Sequence, residues 1–501
     1  MTKYTLETDE GIREATEEQA AIIEFAIANP RQNLIISALA GAAKTSTLRF
    51  LCKYMSSEPT LSMAFNKRIA DEMAKVLPGH VRCATMNSIG HRVWAAAVGK
   101  RLTLETRKNY NLVKEAIESL KRAERQDAYD IFGDIMKTIS RAKLSGYVPK
   151  GITAGRSLLS ADDFFGALDE APDDWFCDIV NKCLATSIKQ AYGGLIDYDD
   201  QIYMPTLFGG SFPQHARVMG DEAQDFSPLN QAMIEKLVGP NTWLAAVGDP
   251  WQSIYAFRGA DTKSMSWLKD RFSMHEMTLS VSFRCPIAGV ENAHWRVPHM
   301  KWPAWAKQGS VQSLSEWGTS SIPDNAAIIC RNNAPLMTMA LALLRAGRGV
   351  HLVGTDLGPQ LIKALKKLGD GNLNMPQEKV YEEITIWEAG KLRKARNAGV
   401  VTDKAECLRV FAGFGPTLGA AIAYCEKLFA AHGPIQLLSG HKSKGLEWPT
   451  VFHLDPHRIP SPWSKDGEAL EQEYNLKYVI ETRFKENLFK VRLDEFNGEI
   501  E

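Results

Sequence analysis

Lys44-Thr45-Ser46 is the first group of residues whose types and spacing carry chemistry. It closes the run Ser37-Ala38-Leu39-Ala40-Gly41-Ala42-Ala43, which follows the apolar stretch Leu34-Ile35-Ile36 and opens a helix. A strand, a turn of small residues and a helix start form the context that a phosphate-binding loop requires. Backbone N–H groups and the helix N terminus then cradle phosphates. Lys44 reaches the β- and γ-phosphates and Thr45 ligates Mg2+. Gly41, Ala42, Ala43, Lys44, Thr45 and Ser46 are therefore candidate nucleotide contacts. Ala43 stands where glycine is usual before the lysine, and its methyl group crowds the phosphates. Taken alone, the segment serves equally well as an alanine-rich strand-to-helix turn.

A second group, Asp221-Glu222-Ala223-Gln224-Asp225, follows the apolar pair Val218-Met219. Phosphoryl transfer to water needs a carboxylate to hold Mg2+ and a group to orient the water. Adjacent acids at a strand end supply both, Asp221 for the metal and Glu222 for the water. An acidic surface turn is the alternative, and the lysine loop upstream weighs against it. Thr16-Glu17-Glu18-Gln19 fits a helix capping box, with Thr16 as N-cap and Gln19 reaching back. The functional alternative has the Gln19 amide pairing with both edges of adenine. As a lone motif, capping is the stronger of the two.

These residues need elements to position them. Short apolar runs recur at Leu34-Ile35-Ile36, Leu61-Ser62-Met63-Ala64-Phe65, Val218-Met219 and Leu244-Ala245-Ala246-Val247, each followed by polar or glycine residues. Short buried strands alternating with helical patterning indicate an α/β domain with a mostly parallel sheet, whose ligands sit at the carboxyl ends of the strands. Gly41–Lys44, Asn66-Lys67, Asp221-Glu222 and Gly248-Asp249 fall there. Between 93 and 196 the pattern turns helical, with Val113, Ile117 and Leu120 on one face. A second α/β set begins near Phe283 and includes Ala326–Cys330, Ile435–Leu438 and Val451–Leu454. The stretch 355–431 is again helical and carries the basic cluster Lys391-Leu392-Arg393-Lys394-Ala395-Arg396.

The chain has 501 residues, 45% of them hydrophobic, enough for more than one core. Lys+Arg and Asp+Glu are both 59, so no global charge draws the protein to nucleic acid. Any such site is a local basic and aromatic groove. The eight cysteines form no C-x-x-C pair and no metal spacing, and read as reduced thiols. No stretch approaches the ~18 apolar residues of a membrane span, and no export signal precedes the first domain. The expected location is the cytoplasm, without a membrane partner.

Further motifs carry a resemblance. They are Gly248-Asp249-Pro250-Trp251-Gln252-Ser253-Ile254-Tyr255-Ala256-Phe257-Arg258-Gly259-Ala260, Ser282-Phe283-Arg284, His441-Lys442-Ser443-Lys444-Gly445-Leu446-Glu447 and Tyr478-Val479-Ile480-Glu481-Thr482-Arg483. With those above they resemble, in order and over nearly the whole chain, the UvrD/Rep group of superfamily 1 helicases. The compact layout, with Lys44-Thr45-Ser46 and Ala64-Phe65-Asn66-Lys67, is also similar to eukaryotic F-box DNA helicases and phage-encoded relatives.

The resemblance implies two RecA-like P-loop domains with helical insertions. Their expected bounds are 1–92 and 197–281 for the first and 282–354 and 432–501 for the second, with a helical insertion at 93–196 and a reduced one at 355–431. It implies ATP and Mg2+ in the cleft between the domains. Gln19, Lys44, Thr45, Asp221, Glu222 and Gln252 come from the first, Gln252 sensing the γ-phosphate. The second supplies Arg284 and Arg483 as arginine fingers, Glu447 near the ribose and γ-phosphate, and Phe283 as the aromatic that stacks on adenine. An arginine finger is worth about 10³–10⁵ in rate and makes hydrolysis depend on closure. Single arginines are by default surface or ion-pair residues; membership of matched motifs reverses that.

Single strands are held by aromatic faces and backbone contacts. By family match Phe65, Asn66, Asn87, Tyr255, Phe257, Arg258 and His441 line that groove. The segments Thr85-Met86-Asn87-Ser88 and Asp197-Tyr198-Asp199-Asp200 also match, the latter fitting a helix cap or a domain brace equally well. The implied activity is ATP-driven movement on single-stranded DNA, 3′ to 5′, bacterial or phage-encoded and near the nucleoid. Single-stranded DNA and single/double-strand junctions are the implied partners, with a single-strand-binding, replication or repair protein as a further one.

Four departures stand out. The region 355–431 is far shorter than the regulatory insertion of UvrD/Rep enzymes. Ser46 stands where bacterial members often carry arginine against adenine. Ile480-Glu481 replaces smaller residues before Thr-Arg. The chain ends shortly after Arg483, leaving little room for a nuclease domain. Ala43 feeds a competing reading, a DNA-binding accessory or remodelling subunit with weak ATPase activity. Action on RNA is a third.

Overall fold

The computed structural model describes residues 4–8, 11–64, 66–152, 155–168, 172–255, 263–354, 357–393, 395, 398–465 and 467–497. Two units emerge, one of Met1–Leu39 with Ala43–Leu279 and one of Ala40–Ala42 with Ser280–Glu501.

In the first unit the hairpin β1 (Thr5–Thr8) and β2 (Gly11–Glu14) precedes a helix, Glu17–Ala28. The main strands follow: β3 (Leu34–Ala38), β4 (Thr60–Ala64) and β5 (Val81–Thr85). Two short strands, β6 (Thr103–Leu104) and β7 (Leu195–Ile196), bracket the inserted helices. Then come β8 (Arg217–Gly220), β9 (Trp243–Gly248) and β10 (His275–Leu279). The large sheet has the order β10-β3-β9-β8-β4-β5, and every pairing in it is parallel. Central strands buried on both faces read as continuous apolar runs, which is why β3, β4, β8 and β9 are legible in the sequence. The edge strand β10, His275-Glu276-Met277-Thr278-Leu279, is largely exposed and has no such run. Ser37 on β3 lies opposite Gly248 on β9, and Gly220 on β8 lies opposite Ala246, so the loops that leave these strands emerge side by side.

The inserted helices are Lys108–Glu118, Arg122–Asp130, Phe132–Leu144, Ala161–Gly166 and Asp174–Tyr192. They close their own core around Val113, Ile117, Ile135, Ile139, Phe164, Val180 and Leu184. Leu120 lies past the end of the first of them, and packs on that core from outside the helix.

The second unit repeats the plan. Its strands are β11 (Ser310–Leu314), β12 (Ala327–Cys330), β13 (Val350–Leu352), β14 (Ile435–Ser439), β15 (Trp448–Leu454) and β16 (Phe484–Val491). They form a parallel sheet in the order β11-β16-β15-β12-β14-β13. Helices Leu357–Leu368, Gln377–Leu392, Ala398–Gly413 and Leu418–Phe429 run between β13 and β14. Ile384, Leu408 and Phe411 from these helices share one core with Ile328, Met337 and Phe452, so this region is a layer of the unit rather than a separate module. Of the basic cluster, Lys394 and Arg396 lie outside the described residues. All eight cysteines are free, and among the described residues no helix is long and apolar enough to cross a membrane.

Candidate nucleotide and nucleic-acid site

The lysine is positioned by β3, the loop 39–43 and the helix Lys44–Tyr54, which it opens. Gly41 has φ +75°, and Ala43 follows with φ 55° and ψ 44° as the N-cap of the helix. A left-handed backbone costs a residue with a Cβ roughly 1–2 kcal/mol. The conformation that glycine would take for free is therefore held by alanine under strain. No side chain caps this helix, so its N-terminal N–H groups and dipole face the loop.

The two groups picked out as chemical meet here. Lys44 Nζ donates to Glu222 Oε2 at 2.7 Å, and Thr45 Oγ1 donates to Asp221 Oδ2 at 3.1 Å. Glu222 is itself left-handed, φ 53°, and its N–H donates to Asp221 Oδ1 at 2.8 Å. That backbone turn aims both carboxylates back at the lysine helix. Burial, then the neighbouring Glu222 charge, pushes the Asp221 carboxyl up to about 6, against the pull of Lys44 and of the Glu222 N–H and Thr45 hydrogen bonds. Burial pulls the Lys44 ammonium down, but Glu222, Asp221 and Asp249 together carry it above its ordinary value. Hydroxyl and carboxylate oxygens are the donors that Mg2+ takes, so Thr45 and Asp221 fit the ion.

Gln252 belongs to the same network. Its Nε2 donates to Asp249 Oδ2 at 2.7 Å, the Asp249 N–H donates to Gln224 Oε1 at 2.9 Å, and Gln224 Nε2 donates to Glu222 Oε2 at 2.5 Å. A relay thus runs from the loop after β9 to the acids after β8. Gln224 and Asp249 were not singled out as functional from sequence, although both lie inside the motifs that were. Gln19 does what the capping box asks: its N–H reaches Thr16 Oγ1 and its Oε1 accepts from Thr16 N, both at 3.1 Å. Its Nε2 donates to Thr47 Oγ1 at 2.9 Å, so both ends of the amide already have partners.

In the second unit Arg284 Nε donates to Glu447 Oε2 at 2.6 Å, and Lys485 lies 2.5 Å from the other oxygen. Burial pushes the Glu447 carboxyl up, but Lys485 and Arg284 more than reverse this and hold it low. Arg483 is 1% exposed, which removes it from the surface arginines. Its Nε donates to Val479 O at 2.8 Å and its Nη2 to Thr482 Oγ1 at 2.9 Å. Phe283 is half-buried and its N–H donates to Gly41 O at 2.9 Å.

A family model described as the UvrD/REP helicase N-terminal domain matches residues 16–273, just over half the chain. The chain belongs to the UvrD/REP helicase family. The UvrD-like helicase C-terminal domain matches residues 422–492. The chain is similar to F-box DNA helicase protein 1 of Schizosaccharomyces pombe, 24% identical across 94% of this chain and 57% of that protein. It is similar to F-box DNA helicase 1 of Gallus gallus, 24% identical across 94% of this chain and 48% of that one. It is also similar to ATP-dependent DNA helicase UvrD2 of Mycobacterium tuberculosis, 23% identical across 92% of this chain and 77% of that protein. The chain spans about half the length of the two F-box relatives.

Several residues matched to the family's DNA groove have other work in this UvrD/REP chain. Asn66 is the N-cap of helix Lys67–Val76, its Oδ1 accepting from Ile69 N at 2.9 Å, so half of its amide is structural. Asn87 Nδ2 donates to Tyr198 O at 2.8 Å, and Tyr198 holds its ring out with 56% exposure. Asn87 thus braces an exposed aromatic; the segment around Tyr198 had no settled role from sequence. Tyr255 and His441 are half-buried. Phe65, Phe257 and Arg258 lie outside the described residues. Glu481, one of the departures, is buried: His453 Nδ1 sits 3.2 Å from its Oε1, and Asn292 Nδ2 donates to its Oε2 at 2.9 Å. The larger acid is accommodated because this chain carries a buried histidine beside it.

Proposed function

We propose that this chain is an ATP-dependent DNA helicase or translocase that moves on single-stranded DNA in the 3′ to 5′ direction. The observation that carries the reading is the meeting of Lys44 with Glu222 and of Thr45 with Asp221 at an uncapped helix N terminus. Lys44 and the loop N–H groups bind the phosphates. Thr45 and Asp221 would hold Mg2+, which would supply neutralisation of phosphate charge. Lys44 transfers its attraction from Glu222 to the phosphate, and the freed Glu222 carboxylate orients the attacking water and takes its proton. Gln252 reports the γ-phosphate through Asp249 and Gln224 to Glu222. Arg284 and Arg483 supply the cations that stabilise transition-state charge, Arg284 after leaving Glu447, and Phe283 stacks on the base.

The strand is held by Tyr255, Phe257, Arg258, His441, Phe65, Asn66 and Asn87, to which we add Tyr198. Single/double-strand junctions are the proposed substrate and a repair or replication protein the proposed partner, in the cytoplasm. A second reading, an accessory subunit with weak turnover, rests on the strained Ala43 beside the lysine.

Steady-state ATP hydrolysis with and without single-stranded DNA tests the proposal. Stimulation by DNA that vanishes in Glu222→Gln is the expected result. Negligible hydrolysis with intact DNA binding would give the accessory reading the advantage.

A further inference from the structure

Tyr198 holds its ring in water, yet the backbone around it is fixed from several directions. Its carbonyl accepts from Asn87 Nδ2 at 2.8 Å. Asp197 N donates to Asp200 Oδ2 at 3.0 Å and Asp200 N to Asp197 Oδ1 at 2.8 Å, which closes a turn around Tyr198 and Asp199. Asp199 Oδ2 in turn accepts from Ser140 Oγ at 2.5 Å. Asp199 is the N-cap residue of the helix Asp200–Phe208, a place where an aspartate ordinarily bonds an N–H of its own helix. Its side chain makes no such bond, and Asp197 Oδ1 takes the first N–H of the helix instead. The Asp199 carboxylate is turned to a different element, the inserted helix Phe132–Leu144 that carries Ser140.

Lys143, on the same inserted helix, and Lys108, on the helix Lys108–Glu118, already fasten the insertion to this turn through Asp197 and Asp200. The half-buried Ser140–Asp199 bond adds little to that joint. What it adds is a fixed direction for the residue next to Tyr198. Asn87, which holds the Tyr198 carbonyl, follows β5, and β5 lies beside β4 with Thr85 opposite Ala64. The exposed ring therefore stands at the carboxyl edge of the first sheet, where ligands of such sheets are met. A backbone fixed beforehand removes part of the ordering cost of binding. We infer that Ser140 is a positioning residue for the single-strand contact: through Asp199 it aims Tyr198, so the inserted helices set how firmly the first unit grips the strand. This rests on the reading of Tyr198 as a strand contact given above.

The test measures oligo(dT) affinity of the full chain by fluorescence anisotropy. It compares the parent with Ser140→Ala, Ser140→Thr, Asp199→Ala, Tyr198→Ala and the double variant Ser140→Ala/Tyr198→Ala. Tyr198→Ala should weaken binding about tenfold, the effect expected of one lost stacking face. Ser140→Ala and Asp199→Ala, which remove the same bond from its two sides, should each weaken it about threefold through lost preorganisation. Ser140→Thr keeps the hydroxyl and should recover most of that loss. The salt slope of Ser140→Ala should match the parent, because no phosphate contact is lost. In the Tyr198→Ala background Ser140→Ala should have no further effect, since a residue that acts through the ring is silent once the ring is gone. Additive losses in the double variant overturn the inference and mark a general structural role. So does parent affinity in both Ser140→Ala and Asp199→Ala while Tyr198→Ala binds weakly, and this leaves the strand reading intact. Parent affinity in Tyr198→Ala removes the ring from the strand and overturns both.

Discussion

Lys44 faces Glu222, Asp221 and Asp249, whereas Lys108 and Lys143 face Asp197, Asp199 and Asp200. Both groups lie in the first unit and both are buried lysine–carboxylate clusters. In the second, Lys108 Nζ lies 2.6 Å from Asp200, and Lys143 Nζ lies 2.6 Å from Asp197 and 2.7 Å from Asp200. Carbonyls of Ser187 and Leu195 complete Lys108, the N–H groups of Asp197 and Asp200 bond each other's carboxylates, and Ser140 donates to Asp199. Burial pushes Asp199 up to about 6, helped by the Asp197 charge. In the Lys44 cluster Asp221 is raised in the same way, by burial first and then by the Glu222 charge. What separates the clusters is place: the closed one ties the inserted helices to β7, while the open one lies at the loops that leave β3, β8 and β9, where the strand ends of a parallel sheet receive ligands.

The largest expected effect breaks the open cluster. Glu222→Gln should lower kcat by about 10²–10⁴, the value of a positioned general base, while ADP affinity and thermal stability stay close to those of the parent. Turnover retained in this variant would remove Glu222 from the chemistry and make its bond to Lys44 purely structural.

The closed cluster should break in stability instead. Lys143→Met leaves Asp197 buried without its cation and Asp200 with Lys108 alone, a loss of about 3–5 kcal/mol, read by urea unfolding. Lys44→Met should cost less than about 1 kcal/mol, because its partner Glu222 is partly exposed and turns to solvent. Equal losses at the two lysines would erase the distinction between the clusters.

The fold was legible where burial is two-sided. β3, β4, β8, β9, β12, β14 and β15 read as apolar runs, but β10 and β16 are half-exposed and alternate with polar residues, so no run marks them. The Lys44–Glu222 meeting was legible because strand ends in a parallel sheet share one edge. The relay through Gln224 and Asp249 was not, because hydrogen bonds between the loops that leave the consecutive strands β8 and β9 depend on side-chain direction and not on spacing. The Asp197–Asp200 segment stayed ambiguous for the same reason: its two lysines come from helices far upstream, and nothing in their local patterns marks them as buried.

A third buried acid extends the comparison to the second unit. Burial pushes Glu481 up, but His453 and the lysines Lys490 and Lys477 hold it down at about 2. A depressed carboxyl contributes stability that is complete above its unfolded value and lost as pH falls through the folded one. The window is therefore about pH 4.5 to 2, and the contribution is roughly 3 kcal/mol. The stability difference between the parent and Glu481→Gln should be full at pH 5 and shrink towards pH 2. A difference that stays constant across that range would mean that the ion pair is not what holds Glu481.

The smallest effect lies at the loop that makes the open cluster useful. Ala43 adopts φ 55°, so Ala43→Gly relieves roughly 1–2 kcal/mol of left-handed strain. The unfolded chain gains about 0.4–1 kcal/mol of entropy from the same change. The net should be a stabilisation of about 0.5 kcal/mol, visible as a small rise in Tm, with kcat within a few-fold of the parent. Strain at this residue would then be a tolerated cost of the fold and no brake on phosphate binding. An increase in kcat/KM well beyond tenfold, which is about 1.4 kcal/mol of barrier, would show that the methyl group obstructs the phosphates. In that case the chain as it stands turns over slowly because its loop is crowded, and the open cluster serves binding more than hydrolysis.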